Sequence, residues 1–233
     1  MTTVVSPVFH DRWQTPLGVH VWAQAADHQD TLIRVLKMLR FQDATASADA
    51  AFYASADDLL QRIRIPEWAA LVNFLVDGVS RTVAHANRAQ WGEQHPAFQV
   101  AVRGLWCQMS NHAAHHDVHT HGNCSWSGVD CLQVDPPAVR ETHPVFGPRN
   151  GVTRFYGPYA GLLGGAYNDF GNAYLQDHAW DVAPLPGQLI VFPSWLAHQA
   201  MPYQGTLDRI ILSFNVSVHA PTGDDQTHRY ASA

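Results

Sequence analysis

The segment DRIILSFNVSVH, residues 208–219, decides the fold class of this chain because hydrophobic residues occupy every second position in it. Neighbouring side chains of a β-strand point to opposite faces, so the pattern predicts a long strand with one apolar face. The apolar face carries Ile210, Leu212, Phe214, Val216 and Val218. The other face carries Arg209, Ser213, Asn215 and Ser217. We expect the first face to pack on a core, and the second is polar enough to line a site.

Two further patterns complete the organisation of the chain. Strand character begins near Phe98 and returns in segments 125–134 and 189–192. Earlier in the chain, segment 30–41 and a longer segment that begins at Pro66 have hydrophobic residues at helical spacing. The buried stripe of the longer helix is predicted to be Trp68, Leu71, Val72, Leu75, Val79 and Val83. Both helices are expected to pack against the outside of a sheet.

These patterns predict one domain over residues 1–233, with a mainly helical flank at 1–97 and a β core at 98–219. Within the core, segment 146–181 is rich in glycine and aromatic residues and shows no regular period. So long an irregular segment is typical of a lid or binding loop in a compact domain. We therefore expect a lid at 146–181.

Composition excludes several functional classes. The chain has 233 residues and a net charge of −6, and its basic residues are not clustered, so nucleic-acid binding is not expected. No apolar run reaches the ~18 residues that would predict a membrane span. Three cysteines without a CxxC pair favour the reducing cytoplasm over a disulfide framework. The oligomeric state has no signature in the sequence.

Histidines concentrate in the segment HHDVHTH, residues 115–121. If this segment is extended, Asp117, His119 and His121 point to the same side. Imidazoles with a possible carboxylate suit a divalent metal such as Fe, Zn or Ni. The alternative interpretation is a histidine-rich surface loop.

Two distal features favour the metal site. In segment 186–198 a turn, an apolar strand and a second turn bring His198 to the end of a strand. Arg209 follows on the polar face of the last strand, where burial is costly unless the guanidinium has an anionic partner. A dicarboxylate co-substrate would be such a partner, because a guanidinium binds a carboxylate through two parallel hydrogen bonds. A structural acid such as Asp208 or Asp130 is the alternative.

Four motifs follow one another along the chain: HTHG at 119–122, SGV at 127–129, a G…FPSWLAH motif at 187–198 and RIILSFN at 209–215. In these motifs the sequence resembles the bacterial and phage 2-oxoglutarate/Fe(II) oxygenases, and more loosely the aspartyl/asparaginyl β-hydroxylases. The resemblance implies a double-stranded β-helix, or jelly roll, of the cupin-like kind, with Fe(II) in its mouth. It also implies His119 and His198 as metal ligands and Arg209 as the residue that binds the C5 carboxylate of 2-oxoglutarate. Such an enzyme oxidises, usually by hydroxylation, a C–H bond and releases succinate and CO2.

The sequence departs from the usual set of two histidines and one carboxylate at the third metal ligand. His121 stands where the carboxylate is expected. Three possibilities remain open: His121 is itself the ligand, Asp117 takes the position, or water fills it. Three neutral imidazoles would leave a charge of +2 on the iron, which doubly negative 2-oxoglutarate would neutralise.

Other polar residues are candidates for contact with the co-substrate or the substrate. Ser213 and Asn215 share a strand face with Arg209, and Gln108 follows Trp106 on an earlier strand. The substrate is expected to be a small molecule, either amino-acid-like or a natural-product intermediate. Two other classes explain part of the pattern: a three-histidine cupin-like dioxygenase that does not use 2-oxoglutarate, and a non-catalytic metal-binding barrel.

Overall fold

A computed structural model describes residues 15–43, 51–92, 96–158 and 179–219. Its helices are α1 (Ala25–Gln42), α2 (Leu59–Arg62), α3 (Pro66–Trp91) and α4 (Pro137–Arg140). Its strands are β1 (Gly18–Val21), β2 (Phe52–Ala54), β3 (Gln99–Ser110), β4 (Ala114–His119), β5 (Trp126–Gln133), β6 (Thr153–Tyr156), β7 (Ala179–Val182), β8 (Gln188–Pro193), β9 (His198–Tyr203) and β10 (Arg209–His219). None of these helices is both long and apolar enough to cross a membrane.

The strands form two antiparallel sheets. The larger sheet has the order β1-β8-β5-β10-β3-β2, and the smaller has the order β4-β9-β6-β7. β10 lies inside the larger sheet, where it pairs with β3 along its whole length and with β5 over Ile210–Val216. The architecture is the predicted double-stranded β-helix, with additional helices.

The helices cover one face of the larger sheet, and this layer is the main hydrophobic core. Pro66 begins α3, as predicted, because its fixed φ suits the first turn and the missing N–H is not needed there. Most of the predicted stripe of α3 is buried, and Leu71 and Val79 have no exposed surface. Full burial of one such side chain stabilises the fold by about 1.5–3 kcal/mol. The apolar face of β10 packs into the same cluster, whereas Arg209 and Ser213 face the interior between the sheets.

Two segments differ from the sequence-based expectation. The N-terminal part adds β1 and β2 to the edges of the larger sheet. Within the predicted lid, Thr153–Tyr156 and Ala179–Val182 are paired strands and not irregular structure. Strands of three or four residues carry too few positions for a two-residue period to stand out. Residues 159–178 of the lid lie outside the described ranges, so the lid stays a prediction.

Candidate active site

His119 and His198 face each other across two neighbouring strands. His119 ends β4, His198 begins β9, and the two residues are direct partners in the sheet. Their ring centroids are 4.4 Å apart. The turn and strand predicted at 186–198 therefore bring His198 to the histidine-rich segment.

His121 joins this pair from the loop after β4. Its backbone N–H donates to the carbonyl of Ser194 in the turn that precedes β9, at 2.9 Å. Its Nε2 lies 3.3 Å from Nε2 of His198. Two imidazole nitrogens bound to one ion at ~2.1 Å would be roughly 3.0–3.4 Å apart. One ligand atom from each of His119, His121 and His198 lies within 4.8 Å of the others, so the three could hold a metal ion.

Hydrogen bonds orient two of these imidazoles. Nδ1 of His119 lies 2.7 Å from the carbonyl oxygen of Asp117, and Nδ1 of His198 lies 2.9 Å from that of Leu196. A carbonyl only accepts, so Nδ1 carries the proton in both rings and Nε2 keeps its lone pair. This is the tautomer in which an imidazole binds a metal through Nε2.

Burial also keeps the site neutral. Desolvation, helped by the neighbouring imidazoles, lowers the pKa of His121 to about 4. Burial likewise lowers the pKa of His198 to about 4, with His119 and His121 adding to the effect. At neutral pH both rings are therefore unprotonated, which is the form that coordinates a metal.

Asp117 lies outside this group. Its side chain is 99 % exposed, and its carboxylate is 3.7 Å from Nε2 of His115. The pairing of β4 with β9 is irregular: His116 faces Ala200 and His119 faces His198, so β4 has one residue more than its partner in this interval. Such a bulge reverses the alternation of side chains. The expectation that Asp117 shares a face with His119 was therefore wrong, and His116 faces the interior instead.

The imidazoles open into a cavity of about 210 Å³ between the sheets. From the smaller sheet it is lined by His116, His119, His198, Ala200 and Thr153. From the larger sheet it is lined by Trp106, Gln108, Arg209, Ile211 and Ser213. The cavity thus joins the candidate metal centre to the predicted co-substrate residues.

Arg209 is buried in this cavity, and none of the acidic residues in the described ranges pairs with it. Only 4 % of the residue is exposed. Its Nη2 donates to Oγ1 of Thr153 at 3.3 Å, and its Nε has no hydrogen-bond partner within the described ranges. Desolvation lowers its pKa.

Neither structural acid considered above neutralises Arg209. Asp208 pairs with Arg40 at 3.3 Å. Asp130 is the partner of Leu212 and Leu189 in the sheet, so it faces the helical layer and not the cavity. A buried cation in this setting fits an anionic ligand.

The remaining predicted polar residues divide into two groups. Gln108 and Ser213 are buried and line the cavity, with Trp106 beside them. Asn215 lies further along β10, outside the cavity lining, where it accepts a hydrogen bond from Ser127 at 2.8 Å. The structure thus separates Asn215 from the site.

Sequence reasoning did not single out six residues that line the cavity, among them His116, Thr153 and Ala200. His116 belongs to the histidine run, but the bulge in β4 that turns it inward has no local signature. Thr153 lies in a four-residue strand inside the predicted lid. Ala200 is one small residue in a strand without marked alternation, so nothing in the sequence singled it out.

Residues 104–215 match the sequence model of the family described as "Putative 2OG-Fe(II) oxygenase". This interval contains all four motifs named above, including His119, His198 and Arg209. No curated protein sequence matches the chain.

Several solved structures share the fold. HygX from Streptomyces hygroscopicus, solved with nickel and 2-oxoglutarate, is 12 % identical with a TM-score of 0.54, and the match covers 87 % of this chain and 82 % of HygX. The 2-oxoglutarate-dependent epimerase SnoN from nogalamycin biosynthesis is 13 % identical with a TM-score of 0.53, over 91 % of this chain and 83 % of SnoN. A prolyl hydroxylase from Trichoplax adhaerens, in complex with a peptide of hypoxia inducible factor, is 9 % identical with a TM-score of 0.50, over 94 % and 88 % of the two chains.

At such low identity these structures establish the fold alone, and the activity of the chain follows from the family match. The two rival classes, a cupin-like dioxygenase without 2-oxoglutarate and a non-catalytic barrel, are thereby set aside. Residues 104–215 thus match the 2OG-Fe(II) oxygenases, and this match indicates an oxidoreductase that depends on Fe(II) and 2-oxoglutarate.

Proposed function

We propose that this chain acts as a single oxygenase domain that hydroxylates a C–H bond of a small, amino-acid-like or natural-product substrate, while 2-oxoglutarate is converted to succinate and CO2. The observation that carries the proposal is the buried Arg209, which has no acidic partner among the described residues and lies in the same cavity as three convergent imidazoles. Burial of a cation is costly unless an anion compensates its charge. A metal-binding barrel without an anionic co-substrate would therefore not be expected to bury an arginine in its cavity.

His119, His121 and His198 are the proposed metal ligands. Their spacing suits one ion, and the hydrogen bonds on Nδ1 of His119 and His198 leave Nε2 free to coordinate. Borderline ligands of this kind suit Fe(II). The exposure of Asp117 and its contact with His115 weigh against a carboxylate ligand.

Arg209 is the proposed anchor for the far carboxylate of 2-oxoglutarate. Oγ1 of Thr153, from the opposite sheet, accepts a hydrogen bond from one guanidinium nitrogen of Arg209. Gln108 and Ser213 line the cavity nearby and supply further hydrogen-bonding groups. The position of Asn215 outside the cavity speaks against its direct contact with the co-substrate.

Bound Fe(II) and 2-oxoglutarate supply the activation of O2 and the oxidation of the substrate. The protein contributes by binding the metal, the co-substrate and the substrate in a fixed geometry and by limiting the access of water to them. Apolar groups in the cavity wall, such as Ile211, help to exclude water.

Two exposed tryptophans lie near the metal end of the cavity. Trp180 packs on Phe155 at 6.1 Å between ring centroids, and Phe155 in turn stacks on His198 at 5.8 Å. Trp195 is 55 % exposed in the turn that leads to His198. Because both rings are exposed beside the residues that hold His198, we propose them as contacts for an apolar part of the substrate.

The three free thiols support a cytoplasmic location for the reaction.

The test is the formation of succinate. Wild-type protein given Fe(II), 2-oxoglutarate and O2 is expected to form succinate slowly even without its substrate, and His198→Ala is expected to form none. His115→Ala is the matched control because this histidine is on the same strand as His119 but faces solvent. Failure of the iron-loaded wild type to bind 2-oxoglutarate would contradict the proposal.

A second experiment addresses the substrate. Amino acids and small carboxylates would be screened for thermal stabilisation of the protein loaded with Ni(II) and 2-oxoglutarate. A compound that stabilises the protein should also increase succinate formation and gain one oxygen atom, measured by mass spectrometry. Desaturation or ring formation without added oxygen would contradict hydroxylation.

A further inference from the structure

A fourth histidine, His116, faces the cavity and is not needed by the proposed metal centre. It is half-buried and lies between Phe52 and His119, with ring centroids at 4.9 and 5.7 Å. The group of convergent metal-binding atoms does not include it. Its neighbour His115 points outward to solvent.

The register of the smaller sheet places His116 opposite the residue that holds Arg209. Ala200 in β9 pairs with His116 on one side and with Thr153 on the other, so the three residues form a row across the sheet. All three line the cavity. Because Ala200 ends in a methyl group, the space above it lies open between His116 and Thr153.

The groups around this space are donors without partners. Neither ring nitrogen of His116 and no side-chain atom of Gln108 takes part in a hydrogen bond with any residue that the structure describes, and Gln108 is only 9 % exposed. Nε of Arg209 is also unpaired over the same part of the chain. A guanidinium, an amide and an imidazole that converge without a carboxylate fit a carboxylate ligand.

The chemistry of the side chain agrees with this placement. An imidazole donates at least one N–H whether or not it is charged, so His116 can serve a carboxylate that also meets Arg209 in this cavity.

We propose that His116 donates a hydrogen bond to the far carboxylate of 2-oxoglutarate, in the space above Ala200, and makes the site selective for dicarboxylic 2-oxo acids. The proposal rests on the proposed function, since it deepens the assignment of Arg209 to the same carboxylate. It adds a binding residue outside the motifs on which the resemblance rests.

The experiment measures binding and not turnover. Wild type, His116→Ala, His116→Gln and the control His115→Ala would be titrated with 2-oxoglutarate by calorimetry in the presence of Mn(II). The same proteins would be titrated with 2-oxopentanoate, which has a methyl group in place of the far carboxylate. The Kd for Mn(II) would be measured separately.

We expect His116→Ala to weaken 2-oxoglutarate binding roughly 10- to 100-fold, the range for loss of a hydrogen bond to a charged group. Binding of 2-oxopentanoate and of Mn(II) should change less than about threefold, and His115→Ala should behave as wild type. His116→Gln retains a donor and should recover part of the affinity. If His116→Ala does not fold, the comparison of His116→Gln with wild type and His115→Ala still tests the proposal.

Three results would overturn the proposal. The first is that both His116 variants bind 2-oxoglutarate as tightly as His115→Ala does, which would mean that His116 does not touch the co-substrate. Equal losses for 2-oxoglutarate and 2-oxopentanoate would place His116 at the keto-acid end. Loss of Mn(II) affinity would make it part of the metal site. Failure of wild type to bind 2-oxoglutarate is a distinct result, which overturns the proposed function itself.

Discussion

Asp130 provides the sharpest test of the energetics of this fold. It has no exposed surface, and neither carboxylate oxygen has a hydrogen-bond partner in the described chain. Its partners in the sheet, Leu212 and Leu189, belong to the apolar core beneath the helices. Burial raises the pKa of Asp130 to about 8.

Because the pKa of Asp130 is raised in the native state, the stability of the protein should fall as the pH rises. An aspartate in an unfolded chain titrates near ~4, so above that pH the unfolded state loses its proton while native Asp130 keeps it up to pH about 8. Each pH unit in this window costs the native state about 1.4 kcal/mol. The cost is on the order of 1.5 kcal/mol at pH 5 and 4 kcal/mol at pH 7, and it levels off near 6 kcal/mol above pH 8.

The substitution Asp130→Asn keeps the shape of the side chain and removes its ionisation. The variant should therefore have a larger free energy of unfolding than wild type. The difference should grow between pH 5 and pH 9, following the cost of ionising Asp130 given above. Urea unfolding of both proteins at pH 5, 7 and 9 measures this difference. Asp77→Asn is the control, because the side chain of Asp77 is 65 % exposed and its loss should shift stability by less than about 1 kcal/mol at every pH.

A constant difference between wild type and Asp130→Asn across this pH range would refute the reasoning, because it would mean that native Asp130 ionises like an exposed aspartate. Binding of 2-oxoglutarate offers a second check. Asp130 faces the helical layer, so Asp130→Asn should bind the co-substrate as wild type does.

Two further predictions concern the cavity. His121→Ala should weaken Fe(II) binding by about tenfold or more, because even the loss of a residue that only supports a metal ligand has an effect of this size. Asp117→Ala should bind Fe(II) as wild type does. If anaerobic equilibrium dialysis finds the opposite pattern, the carboxylate of Asp117 is the third ligand. Arg209→Ala should raise the Kd for 2-oxoglutarate by about two orders of magnitude through loss of the paired hydrogen bonds, with Arg209→Lys intermediate and Fe(II) affinity unchanged. If calorimetry finds the same 2-oxoglutarate affinity for wild type and Arg209→Ala, Arg209 does not bind the far carboxylate.

Much of the fold could be predicted from local pattern. The alternation along residues 208–219 was enough to predict a strand with one buried face. The hydrophobic stripe that follows Pro66 was enough to predict an amphipathic helix. Short strands such as Thr153–Tyr156 could not be predicted, because four residues hold too little periodic signal to be told from a loop. Thr153, which holds Arg209, went unnoticed for this reason.

The sequence by itself determined which chemical groups the site contains: imidazoles near residue 119, one more at the end of an apolar strand, and an arginine on a polar strand face. The tertiary structure decided which of them converge. The bulge in β4 turned Asp117 outward and His116 inward, and the loop after β4 brought His121 to His198 through a hydrogen bond to Ser194. Strand register depends on pairing between segments far apart in the chain, and a shift of one residue exchanges the two faces of a strand. No local pattern therefore contains this information.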